Sequence, residues 1–132
     1  MAKNKKTILI IDDNDDFRII MFKYLTDMGY NVMEAENGLD GLHKIRSSSN
    51  KPNLIILDIV MDTLDGIETY ELIRENYVLK DMPIIFISGS EIYNEVKIKL
   101  GIKKINFLGK PIVFPVLNRM IKKLLNEEIN EI

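Results

Sequence analysis

The sequence predicts a three-layer α/β sandwich, a five-stranded parallel sheet with five helices. Two observations carry that prediction. Short branched apolar runs of strand length alternate with stretches whose apolar residues recur every three or four positions. Such alternation implies parallel strands joined by right-handed crossovers, with helices on both faces. The first and third runs are also apolar at nearly every position, as strands buried on both faces should be.

The elements follow in order. TILII (7–11) is the first strand, and Phe17, Ile20, Met21, Tyr24, Leu25 and Met28 stripe the first helix, with Gly29 where it should stop. NVMEA (31–35) is the second strand, followed by a helix carrying Leu39, Leu42 and Ile45. NLIIL (53–57) is the third, with Ile67, Tyr70 and Ile73 on the helix after it. MPIIFIS (82–88) is the fourth, and Ile92, Val96 and Leu100 precede Gly101 on the next helix. INFL (105–108) is the fifth, and Val113, Val116, Leu117, Met120, Ile121, Leu124 and Leu125 stripe the last helix. Each stripe is expected to be core.

The totals fit one domain: 132 residues, 46% apolar and 29% charged, enough to bury roughly two thirds of the unfolded surface. A net charge of −2 with scattered lysines argues against a nucleic-acid surface, which needs a basic excess on one face. There is no Cys, so neither a disulfide framework nor a thiolate metal site is possible. The basic start, Lys3 to Lys6, leads into an apolar run that ends at Ile11, too short for an export signal. No stretch approaches the roughly 20 apolar residues that cross a bilayer, so a soluble cytoplasmic protein without a membrane partner is expected.

Open parallel sheets bind ligands at the carboxyl ends of their strands, where the strand order reverses. Here strand one ends in Asp12 and Asp13, strand three in Asp58, strand four in Ser88 and strand five in Lys110. In the flavodoxin-like order 2-1-3-4-5, strands one and three are neighbours, and the three acids converge. Each close pair of carboxylates costs on the order of 1 to 4 kcal/mol, which a hard cation relieves. The donors are all oxygen, because the single histidine, His43, lies on a helix; oxygen ligation points to Mg2+. With a nearby lysine, such a site suits phosphoryl transfer to an aspartate. The adjacent pair Asp12 and Asp13 is suited to metal and the isolated Asp58 to the nucleophile. Asp13, Asn14 or Asp15 could instead cap the following helix, and Asp15 and Asp16 are read as cap or solvated surface.

This pattern resembles the receiver domain of bacterial two-component response regulators, and is similar to the single-domain chemotaxis regulator. The resemblance runs from about Lys6 to Leu125 and rests on ILIIDDNDDFR, LIILDIVMDTLDG, PIIFISGS and NFLGKP. It implies a single receiver domain over 1–132, with a core at about 6–125 and a polar tail or linker start at 126–132. It implies that Asp58 is the phosphoacceptor, and that Asp12, Asp13, Asp58 and the backbone carbonyl of Val60 hold Mg2+. Lys110 would contact the phosphoryl group, the Ser88 hydroxyl would move to bond it, and Phe107 would be the aromatic switch. Val60 and Ser90 would tune hydrolysis, and Lys110-Pro111 would be cis. The implied partners are a sensor histidine kinase or histidine phosphotransfer domain, and a downstream protein target or an output domain not contained in these residues. Such a protein is not an enzyme beyond its own phosphorylation and slow dephosphorylation. On the output surface, Tyr93 and Phe114 are candidate contacts, with a core role equally open for Phe114.

The sequence departs from the family in places. Asp62 follows Met61 where proline is usual, the stretch from Gly101 to Lys110 is about two residues longer than usual, and Asn106 stands where an acid is common. The apolar Val60 cannot orient an attacking water, so a long-lived phosphorylated state is expected. Two alternatives are a receiver-like scaffold that is never phosphorylated and a phosphohydrolase resembling the haloacid dehalogenase superfamily, with Asp13 and Asp15 as its acid pair. The second needs a late acid pair, and after Lys110 only Glu127, Glu128 and Glu131 remain. No glycine-rich turn follows any strand, which counts against a nucleotide site.

Overall fold

Residues 5–49, 51–60, 66–76, 79–89, 93–101 and 105–128 are described by a computed structural model of the chain. Strands and helices alternate through the chain: β1 (Thr7–Ile11), α1 (Asp15–Asp27), β2 (Asn31–Ala35), α2 (Gly38–Ser47), β3 (Leu54–Asp58), α3 (Gly66–Glu75), β4 (Ile84–Ser88), α4 (Tyr93–Leu100), β5 (Asn106–Gly109) and α5 (Phe114–Leu124). The sheet runs β2-β1-β3-β4-β5 with every neighbouring pair parallel, as the sequence predicts.

The pleat sorts the strand side chains into two cores, because successive residues point to opposite faces. Leu9, Ile11, Ile55, Leu57 and Phe86 pack with Leu42, Ile45, Ile73 and Val96 from α2, α3 and α4. Ile8, Ile10, Ile56, Ile85 and Ile87 pack with Met21, Leu25, Leu117 and Ile121 from α1 and α5. Strands β3 and β4 are buried along their whole length, which explains why their sequences lack a polar alternation.

Helix ends follow local chemistry. Asn14 caps α1 by accepting the Phe17 N–H at 2.8 Å, so the cap falls to Asn14 rather than to Asp13 or Asp15. Gly29 and Gly101 take φ of 96° and 65° just beyond α1 and α4, a left-handed conformation that costs a glycine nothing.

The apolar stripes are wider than the faces that the sheet covers. Ile20, Leu39, Val113 and Val116, expected in the core, are 53%, 56%, 60% and 41% exposed. A single helix layer touches the sheet along one row, such as Met21 and Leu25, and Ile20 lies about 100° round the helix from that row. Strand bounds shift slightly as well. β3 extends to include Asp58, and β4 starts at Ile84 rather than Met82, since Pro83 has no N–H to give a ladder. Residues 126–128, expected in a polar tail, are held at Glu127, which accepts the Tyr30 hydroxyl at 2.7 Å and faces Lys122 at 3.8 Å. Among the described residues no helix is long and apolar enough to cross a membrane.

Candidate functional site

The register brings the strand ends level: Ile11 pairs with Leu57, Asp58 with Ile87, and Ser88 with Gly109. The residue or two after each pairing therefore opens into one crevice. Asp12, Asp13 and Asp58 each present a carboxylate oxygen there, all within 4.8 Å of one another. Asp12 and Asp58 are buried and Asp13 is exposed, so the cluster has a dry floor and one wet wall.

The two buried acids are held by their neighbours. Asp12 accepts the Asn14 N–H on Oδ1 at 2.8 Å and the Lys110 ammonium on Oδ2 at 2.9 Å. Asp58 accepts the Val60 N–H on Oδ1 at 3.3 Å, and its Oδ2 stands 3.7 Å from Lys110 Nζ. Lys110 follows β5, its own N–H donating to the Ser88 carbonyl at 2.8 Å, and the Lys110-Pro111 bond is cis. Ser88 is buried at the end of β4. Phe107, opposite Phe86 on β5, is half-buried against the core beneath α2, α3 and α4. The Val60 side chain is 64% exposed. Asp15 and Asp16 sit exposed in the first turn of α1, outside the cluster, and His43 is exposed on α2. Met61, Asp62, Ser90 and Ile92, and the side chains of Tyr93 and Leu100, lie outside the described residues. Phe114 packs its ring against Tyr24, centroids 4.4 Å apart, and belongs with the core.

Three residues important to this geometry escape a reading of strand ends. Arg18 donates to the backbone carbonyl of Asp12 and pairs with Asp15, bracing the acid turn. Gly66 donates its N–H to the Ile59 carbonyl at 3.0 Å, and a Cβ there would lie 2.4 Å from the Asp58 carbonyl oxygen. Phe17 places its ring under Lys110, with Nζ 4.3 Å from the centroid. The glycine stands in plain view at the end of LIILDIVMDTLDG; nothing in a single sequence pairs Phe17 with Lys110.

Burial and, next, the facing charge of Asp12 push the Asp58 carboxyl up from 3.8 to about 6, with Asp13 adding to the rise and Lys110 and the Val60 N–H opposing it. The folded chain therefore binds this proton more tightly than the unfolded chain does. Stability contributed through Asp58 is fully present below pH 3.8 and is lost as pH rises through about 6. The difference amounts to roughly 3 kcal/mol at most. Urea unfolding with chelator present should show Asp58→Asn gaining stability over the native chain as pH rises across this window. A difference that does not vary with pH would contradict the burial argument.

The donor set suits a hard divalent cation. Mg2+ holds oxygens at about 2.1 Å, so ligands across one ion stand about 4.2 Å apart. The 4.8 Å spread of these oxygens fits an ion met directly by some carboxylates and through water by others. Among the described residues the cluster is made of oxygen donors alone, as this ion prefers.

Comparison with known proteins agrees with this geometry. A sequence model of the response regulator receiver domain matches residues 8–122. Protein PilG of Pseudomonas aeruginosa is 36% identical over 84 residues, covering 64% of this chain and 61% of PilG. The alkaline phosphatase synthesis transcriptional regulatory protein PhoP of Bacillus subtilis is 29% identical over 92% of this chain and 49% of its own length. Histidine kinase P4 of Formosa agariphila is 30% identical over 96% of this chain, which spans only 9% of that kinase. The chain thus corresponds to a part of each of these relatives. Among solved structures, Vibrio cholerae chemotaxis protein CheY4 shares the fold with a TM-score of 0.80 at 24% identity, covering 92% of this chain and all of that one (100%).

Proposed function

The chain belongs to the response regulator receiver family, and from that premise we propose that it takes a phosphoryl group on Asp58 from the phosphohistidine of a sensor kinase or histidine phosphotransfer domain. The observation that carries this reading is the meeting of Asp12, Asp13 and Asp58 with the Lys110 ammonium at the sheet's carboxyl edge. An oxygen of Asp58 attacks phosphorus; the new O–P bond forms as the P–N bond to the donor imidazole breaks, and the electron pair stays on that nitrogen. Lys110, already 3.7 Å from Asp58 Oδ2, lies within reach of a phosphoryl oxygen bonded there and offsets its charge. Asp12, Asp13, Asp58 and the backbone carbonyl of Val60 would hold Mg2+, which when bound would neutralise charge on the phosphoryl oxygens.

The Ser88 hydroxyl then bonds the phosphoryl group, Phe107 turns into the space released, and the α4, β5 and α5 surface changes partner. Phosphorylation in this reading biases a pre-existing two-state equilibrium. The exposed, apolar Val60 side chain offers no hydrogen bond to an attacking water, which supports slow hydrolysis, with Ser90 as the second tuning position. The whole chain, 1–132, acts as one cytoplasmic receiver domain, performs no turnover beyond its own phosphorylation and dephosphorylation, and passes its signal to a downstream protein or an output domain.

The test is chemical. Incubate the protein with Mg2+ and a small acyl-phosphate donor, reduce or trap the product, and map the modified residue by mass spectrometry. Label on Asp58 is the expected result. Label on Asp13 would indicate a phosphohydrolase, and an unmodified chain a scaffold.

A further inference from the structure

Lys110 Nζ has three neighbours of two kinds, the carboxylate oxygens Asp12 Oδ2 at 2.9 Å and Asp58 Oδ2 at 3.7 Å, and the face of the Phe17 ring at 4.3 Å from its centroid. We infer that Phe17 is a positioning residue for phosphoryl transfer, its ring holding the Lys110 ammonium over the acidic crevice. This rests on the proposed role of Asp58 as phosphoacceptor.

The ring's place is fixed by the same turn that fixes the acid. Asn14 donates its N–H to Asp12 Oδ1 at 2.8 Å, and its side-chain oxygen takes the Phe17 N–H at 2.8 Å. Contacts thus close a loop from Asp12 through Asn14, Phe17 and Lys110 back to Asp12. The Phe17 side chain is half-buried and packs on the α1 and α5 core, so the ring is a fixed wall.

An aromatic face suits the task for an electrostatic reason. The ring quadrupole attracts a cation without accepting a directed hydrogen bond and without carrying charge. Lys110 has three donors, and the ring claims none of them. When Asp58 becomes an acyl phosphate, the ammonium can turn a donor to a phosphoryl oxygen while staying over the ring. A carboxylate in the ring's place would compete for those donors, and an aliphatic side chain would fill the volume without attracting the charge.

The test separates charge attraction from packing. Three proteins are compared: the native chain, Phe17→Leu, and a chain carrying trifluorophenylalanine at position 17, whose fluorines weaken the quadrupole at nearly unchanged shape. Rates and KM for a small acyl phosphate are measured with saturating Mg2+, so no kinase docking enters. The Lys110 ε-methylene proton shifts are recorded without donor. Phe17→Leu should slow labelling of Asp58 roughly three- to tenfold and return the ring-shifted ε-methylene protons to ordinary positions. The fluorinated chain should keep the ring shift and label at a rate between the other two. Fluorinated protein labelling as fast as native, or Phe17→Leu labelling at the native rate, overturns the inference. If the native chain gains no label on Asp58, the phosphoacceptor reading falls first and the role of Phe17 falls with it; the ring shift alone would not save it.

Discussion

Asp58→Asn is expected to abolish covalent phosphate uptake from small acyl phosphates and from a phosphorylated histidine donor alike. Asn keeps the size and the contact with the Val60 N–H, which reaches Oδ1 at 3.3 Å, but an amide is no nucleophile toward phosphorus. The loss should come without unfolding. Asp58 is 4% exposed and faces Asp12, so removing its charge relieves repulsion and desolvation together. Intact mass after incubation with donor and Mg2+ is the readout. Stoichiometric label on the Asp58→Asn protein would mean that another carboxylate, Asp13 first, is the acceptor.

The second large effect is expected at Gly66→Ala. A Cβ at this position would lie 2.4 Å from the Asp58 carbonyl oxygen and 2.5 Å from Ile59 Cα, both backbone atoms that cannot swing aside. The start of α3 must retreat, or the peptide after Asp58 must move, at a cost of about 1 to 3 kcal/mol or more. Gly41→Ala is the matched control, since its Cβ would meet first the Cδ1 of Ile11, at 2.6 Å, the movable end of a side chain. Urea unfolding should place Gly66→Ala clearly below Gly41→Ala, and Mg2+ titration should show weakened binding only in the former. Equal behaviour of the two would show that the backbone at Asp58 and Ile59 yields more easily than its close approach to Gly66 implies.

Much of this was legible in the sequence, for reasons that differ by element. The strands and their burial on both faces follow from apolar runs such as ILII and LIIL, where every side chain is buried because both faces of the sheet are covered. The acid cluster was legible because strand ends in a parallel sheet are brought level by topology, so Asp12, Asp13 and Asp58 had to meet if β1 and β3 were neighbours. The exposure of Leu39 and Val113 was not legible, because periodicity marks an apolar stripe but not how much of it the sheet reaches. Nor was the choice of Asn14 over its acidic neighbours as cap, since all of these side chains can accept an N–H and the chain's path decides. The place of Phe17 was hidden most thoroughly: its stripe announced core, while its ring also meets a lysine distant in the sequence.

The resting cleft carries its own counter-ion. Asp12 and Asp58 both lean on the ammonium of Lys110, so the repulsion among the acids is partly offset from within, and a divalent cation arriving there would compete with the ammonium for the same oxygens.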